Sequence, residues 1–257
     1  MSSQEIWIAF YTILRREIRR FMRIWPQTLL PPAITMSLYF AIFGNLIGSR
    51  IGEMGGFSYM QYIVPGLIMM SVITNSYSNV ASSFFSAKFQ HSVQELLVSP
   101  TPNWVILTGY VLGGVARGLF VGLIVTVLSL FFTKLHLQNL LLTVVVVFLT
   151  AVMFSLGGFV NALFARSFDD VSIVPTFILT PLTYLGGVFY SISLLPDFWQ
   201  AVSLLNPVLY MVNAFRYGIL GVSDINVGWA LVIIVAFSVA LFAVGLSLLN
   251  RGRGIRS

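Results

Sequence analysis

Six small polar residues, Ser71, Asn75, Ser78, Asn79, Ser82 and Ser86, succeed one another at intervals of 4, 3, 1, 3 and 4 inside a long apolar run. On a helix this spacing sets all six on one face, because residues three and four apart are neighbours. Hydroxyls and carboxamides at neutral pH hydrogen-bond without ionising. The stripe can therefore pair with another helix, at about 0.6 kcal/mol per bond on average, or coat a translocation path or a subunit seam. Both readings stay open. Arg117 lies midway along the next apolar run. A cation at that depth costs about 2.5–3.5 kcal/mol on insertion scales and marks a functional candidate that needs a partner. No acid lies in the interior of another apolar run, so backbone carbonyls, an asparagine or a lipid phosphate are the partners on offer.

Most catalytic chemistry is excluded. The chain has no cysteine and two distant histidines, His91 and His136, so neither thiol chemistry nor a metal cluster is expected. It has no G-x-x-x-x-G-K-[ST] phosphate cradle, no H-E-x-x-H and no serine–histidine–aspartate set. Asp169 and Asp170 follow Arg166 at the start of an apolar run, where carboxylates cap free N–H groups and complement the helix dipole. Paired intramembrane carboxylates, the usual relay of an ion-driven carrier, are missing. No inverted repeat relates the two halves.

The elements that must position these residues are set by composition. Of 257 residues, 58% are hydrophobic and 9% charged, with a mean hydropathy of +0.92. Soluble domains carry roughly 25% charged residues, so this is a polytopic membrane protein. A hydrocarbon core of about 30 Å needs roughly 20 apolar helical residues, which predicts an all-α fold of six spans at about 27–48, 61–85, 104–132, 139–164, 171–190 and 227–249. Gly114, Gly118 and Gly122 in the third, with Gly109 and Gly113 one turn offset, permit close helix approach. With the N-terminus inside, ten arginines and lysines (Arg15, Arg16, Arg19, Arg20, Arg23, Lys88, Arg166, Arg251, Arg253 and Arg256) face the cytoplasm and only Arg50 and Lys134 face out. That bias sets both termini in the cytoplasm. The first apolar stretch precedes its arginines, so a cleavable signal is not expected.

Three further segments stand out. In 4–25, Arg15, Arg16, Arg19, Arg20 and Arg23 share one side of a helix, and Ile6, Phe10, Ile13, Leu14, Phe21 and Ile24 the other. This predicts an interfacial helix with its arginines toward anionic headgroups. Glu17 falls inside the apolar arc; it either pairs locally with Arg20 or meets a partner at the mouth of the membrane domain. Segment 88–99 reads as one cytoplasmic amphipathic helix with Phe89, Val93, Leu96 and Leu97 on one face and Gln90, His91, Gln94 and Glu95 on the rest, stopped by Pro100 and Pro102. It is either a connector or a helix that docks in a partner's groove. Region 191–221 is apolar but cut by Pro196-Asp197 and Asn206-Pro207. Re-entrant half-helices from the outer side fit it, with Arg216 near the outer face beside Tyr210 and Tyr217.

Four stretches, FMRIWPQTLLPPAITMSLYFAIFG at 21–44, YIVPGLIMMSVITNSYSN at 62–79, KFQHSVQELLVSPTP at 88–102 and PLTYLGGVFYSISLLPDFWQAVSLLNPVLYMVNAFRYGI at 181–219, resemble the ABC-2 type permeases. The likeness is strongest to the YadH-type inner-membrane branch. It implies a single transmembrane domain over 1–257 in a bacterial inner membrane and a non-catalytic subunit of an ATP-driven exporter. A second copy of the chain and two cytosolic ATPase subunits complete the assembly, with membrane lipid as a partner and no nucleic acid. ATP and Mg are implied on the ATPase, with no cofactor on this chain. In the resemblance 88–99 is the coupling helix. Short outer loops disfavour a polymer, leaving an amphipathic, lipid-linked or drug-like solute. The rival expectations are an ATP-independent channel or secondary carrier, and a membrane scaffold without a solute.

Overall fold

A computed structural model describes residues 2–252, with Asn45 and Ser49 described by their backbone alone. Arg253 and Arg256, counted above among the inner charges, lie outside the described residues.

The first helix, α1 (Ser3–Arg23), opens on a reciprocal cap in which Ser2 Oγ accepts from the Glu5 N–H and Glu5 Oε2 accepts from the Ser2 N–H. At Ile24 the backbone leaves helical geometry (φ −110°, ψ 33°) and α2 (Trp25–Tyr39) begins with Pro26 in its first turn, where the missing N–H costs nothing. Pro31 and Pro32 sit inside α2. The helix then widens into a π-helical segment, Phe40–Ile47, before α3 (Gly48–Ile51). A small hairpin, unforeseen from the sequence, pairs β1 (Glu53–Met54) with β2 (Phe57–Ser58). Gly55 and Gly56 turn it at φ 62° and 81°, values open to glycine without strain.

At the centre of the molecule is α4 (Tyr59–Phe89), opened by a Ser58–Gln61 capping box. Two apolar clusters share it: Leu67, Ile68 and Met69 belong to one, Val80, Phe84 and Phe85 to the other. A short α5 (Ser92–Val98) follows, then α6 (Asn103–Ser129), α7 (Leu140–Phe164) and α8 (Phe168–Val174). From α8 the chain passes through a π-helical segment, Pro175–Leu179, into α9 (Thr180–Leu185). The region beyond holds a 3-10 turn, Ile192–Leu194, then α10 (Asp197–Leu204) and α11 (Pro207–Leu220), and α12 (Val227–Asn250) closes the described fold.

Three of these helices, α6, α7 and α12, are long and apolar enough to cross a membrane by themselves. The segment expected at 27–48 is helical but passes from α to π geometry at Phe40, and the one expected at 171–190 turns π-helical at Pro175 and stops being helical after Leu185. α4 is longer than any of the three and carries the serine–asparagine stripe.

Glycines set how closely the helices approach. A Cβ at Gly118 would collide with Ser76 Oγ, one at Gly114 with Val80 and one at Gly122 with Val72, all on α4. From the other flank, a Cβ at Gly158 of α7 would strike the Tyr77 carbonyl. The offset pair Gly109 and Gly113 faces α1 instead, under Ile13 and Glu17. The two contacts advance by four residues on each helix, so α1 and α6 run in the same direction there.

Candidate functional site

The α1 junction is built from a buried acid. Glu17 is 1% exposed. Its Oε2 accepts a 2.5 Å hydrogen bond from Ser83 Oγ of α4 and lies 3.5 Å from Arg20 Nε, while Oε1 lies 3.6 Å from Arg16 Nη2. Both readings of Glu17 are thus realised, local pairing and a partner in the membrane domain. Arg16 and Arg20 turn inward rather than toward headgroups: Arg16 Nη2 donates to the Tyr110 hydroxyl at 2.5 Å, and Arg20 Nη2 donates to Asn79 Oδ1 at 2.9 Å. The two-faced helix expected here has three faces. Ile13, Glu17 and Phe21 are buried against the bundle. Arg15, Arg19 and Arg23 stay exposed, and Trp7, Ile8, Tyr11, Ile18 and Met22 form an apolar strip beside them. Between α1 and the end of α4 lies a cavity of about 750 Å³.

The stripe on α4 is divided. Ser71, Asn75 and Asn79 are buried, whereas Ser78, Ser82 and Ser86 are half-buried. Most of its hydrogen bonds stay within the helix: Ser71 Oγ donates to the Leu67 carbonyl, Asn75 Nδ2 to the Ser71 carbonyl and Ser82 Oγ to the Ser78 carbonyl. Two bonds leave it. Asn75 Oδ1 accepts from Arg117 Nη2 at 3.1 Å, and Asn79 holds Arg20. An asparagine is therefore the partner of Arg117.

The 88–99 segment is not one helix. α4 runs through Phe89, the chain turns at Gln90, and His91 adopts a left-handed conformation (φ 58°) before α5 starts at Ser92. This corrects the single apolar face. Val93 is 1% exposed and Leu96 and Leu97 pack on the cluster containing Phe84 and Ile106, so these three anchor α5 to its own bundle. Phe89 points away at 61% exposure, its ring 5.4 Å from that of Phe168. Gln90, His91, Gln94 and Glu95 are exposed. So is Val98, at 87%, an outward apolar residue outside the helical spacing of Phe89, Val93, Leu96 and Leu97. Lys88 Nζ donates to the Leu163 and Ala165 carbonyls at 2.8 Å each, closing the end of α7. Burial, followed by the nearby Arg166 guanidinium, lowers the Lys88 pKa. Asp170 caps α8, accepting from the Arg166 and Ser167 N–H groups; these bonds, the Arg166 one first, hold its carboxyl below the usual range. At the same end Asn103 Nδ2 donates to Asn250 Oδ1 at 2.7 Å. The N-terminal helix and the end of α12 therefore sit together at the α5 end of the bundle.

Arg216 is fully buried. Its Nε donates to the Tyr62 carbonyl at 3.3 Å and its Nη2 to the Gly187 carbonyl at 2.6 Å, and its guanidinium lies 4.0 Å from the centre of the Tyr62 ring. Pro196 precedes α10, and Asn206 caps α11 at Pro207 through a 2.9 Å bond from the Val208 N–H. α10 is largely exposed and α11 largely buried. Asp224, missed from the sequence, organises this end. Its Oδ1 accepts from Ser191 Oγ at 2.6 Å, its Oδ2 from the Ile192 N–H at 3.2 Å, and its own N–H donates to Asn213 Oδ1. A single acid in a loop carries no periodic signal, so only the distance to Ser191, 33 residues away, reveals it.

A largely helical bundle with apolar spans, a buried arginine and a capped amphipathic helix at one end defines a multi-pass membrane protein. Residues 8–220 match the family model of the ABC-2 type transporter, and the chain belongs to that family. It is 62% identical over 251 residues to the inner membrane transport permease YadH of Escherichia coli K12, covering 98% of each chain. It is 23% identical over 247 residues to nodulation protein J of Rhizobium meliloti strain 1021, covering 95% of this chain and 93% of that one. Against nodulation protein J of Rhizobium leguminosarum bv. viciae it is 22% identical over 215 residues, 83% of each. The chain is a permease component of an ABC transporter in the inner membrane.

Proposed function

We propose that the chain is the membrane half of an exporter, acting as a homodimer on which two copies of a separate cytosolic ATPase, carrying ATP and Mg, exert force. Six segments cross the membrane in this reading, both termini and α5 lie in the cytoplasm, and the solute is amphipathic, lipid-linked or drug-like. The observation that carries it is the mounting of α5. Val93, Leu96 and Leu97 root it in the apolar cluster shared by α4 and α6, while Gln94, Glu95 and Val98 are left outward. A force on the outward edge is transmitted by close-packed side chains to both long helices.

The test is co-expression with a cytosolic Walker-motif ATPase and replacement of the outward edge, Glu95→Lys with Val98→Asp. The expected result is a permease that still purifies as a folded membrane protein but loses the ATPase from the complex and the solute-stimulated hydrolysis. An unchanged complex with unchanged hydrolysis overturns the docking claim. Solute flux through the reconstituted chain without any ATPase would instead favour a channel or secondary carrier, with the stripe from Ser71 to Ser86 as its path.

A further inference from the structure

The cavity between α1 and the end of α4 has a charge imbalance that the coupling reading does not use. Arg15, Arg16, Arg19, Arg20 and Arg23 line it against a single acid, Glu17. Glu17 is committed to Arg16 and Arg20 at 3.6 and 3.5 Å. Arg15, Arg19 and Arg23 have no carboxylate within 4.0 Å among the described residues. All five cations are arginines, whose planar fork of donors matches phosphate oxygens two at a time. Ser86, Gln90 and Ser92 are also among its lining residues. A concave surface of one sign concentrates the opposite ion. Tyr11 belongs both to the cavity wall and to the exposed apolar strip of Trp7, Ile8, Ile18 and Met22, so an anion seated here has an apolar surface directly beside it.

We propose that this cavity binds a phosphate group, with Arg15, Arg19 and Arg23 as the ligating cations, Arg16 and Arg20 held in place by Glu17, and the apolar strip receiving any hydrocarbon attached to that phosphate. The inference names a headgroup class for the exporter reading, and its binding test needs no ATPase. Loss of binding and loss of coupling are therefore separate results.

The experiment is native mass spectrometry of the full chain in detergent, titrated with phosphatidic acid, inorganic phosphate and oleate, for the parent and for Arg15→Gln with Arg19→Gln. Neither arginine makes a hydrogen bond or ion pair within the described fold, so the variant is expected to fold, and Arg23→Gln alone provides a second, milder probe. Phosphatidic acid binding at least tenfold tighter than oleate, weakened tenfold or more by the double substitution, supports a phosphate carried on a lipid. Inorganic phosphate competing as well as phosphatidic acid, with the same sensitivity to the substitutions, supports a free phosphate. Oleate binding as tightly as phosphatidic acid, or phosphatidic acid binding that neither variant alters, overturns the proposal.

Discussion

The Glu17 carboxylate receives the Ser83 hydroxyl at 2.5 Å, across 66 residues of sequence. That bond joins the helix preceding the first apolar run to the last turns of α4, beneath a glycine, Gly113, that lets Glu17 come so close to α6. Arg16 and Arg20 keep about a third or more of their side chains exposed, so solvent screens their attraction to the acid.

Ser83→Ala leaves a buried carboxylate oxygen short of a donor and is expected to cost about 1–3 kcal/mol. Unfolding of the purified protein in lipid nanodiscs reads the loss. Combined with Glu17→Gln, the two effects should fall short of additive by more than about 0.5 kcal/mol, the mark of groups in contact. Strict additivity would show that the bond is not what holds α1.

Arg216 links α11 to α4 and to the turn after α9 through two backbone carbonyls and the Tyr62 ring. A lysine keeps the charge but not the fork, so Arg216→Lys strands a buried cation. A loss of about 3–5 kcal/mol is expected, as when a buried ionic contact loses its geometry. That approaches the whole stability of many proteins, and the yield of monodisperse protein on size exclusion should collapse. Tyr62→Phe keeps the ring and the carbonyl and should leave the yield near the parent value. Equal yields for parent and Arg216→Lys would refute this account.

Gly118 and Gly66 test close approach in two different ways. A Cβ at Gly118 meets a side-chain atom, Ser76 Oγ, whereas one at Gly66 meets the backbone carbonyl of Val188 at 2.5 Å. Gly118→Ala is expected to cost about 1–3 kcal/mol from overpacking, and Ser76→Ala should recover part of it by removing the colliding hydroxyl. Gly66→Ala has no such remedy, since no side-chain substitution moves the Val188 carbonyl. Thermal unfolding of the four variants decides the matter; failure of Ser76→Ala to relieve Gly118→Ala would place the clash elsewhere.

Much of this molecule could be read from its sequence, and the failures have identifiable causes. The helical spacing of Phe89, Val93, Leu96 and Leu97 was sound as periodicity, but periodicity assumes an unbroken helix. His91 adopts φ 58°, an uncommon conformation outside glycine that no residue pattern announces. The break leaves Phe89 on α4 and turns the expected docking face inward. The complete burial of Arg216 is likewise not legible in the sequence. Its partners are carbonyls, which every residue possesses and no sequence distinguishes.

Composition and local order alone determined the membrane class, the apolar runs, the arginine-rich first helix, the polar face of α4 and the proline interruptions, because each depends on residues within one or two turns of each other. Which polar group meets which was decided only in three dimensions. Glu17 with Ser83, Arg117 with Asn75 across 42 residues, and Arg216 with Tyr62 across 154 all depend on how each helix is rotated about its axis. That rotation is fixed by the glycine faces that permit close contact and the side chains that fill the remaining space.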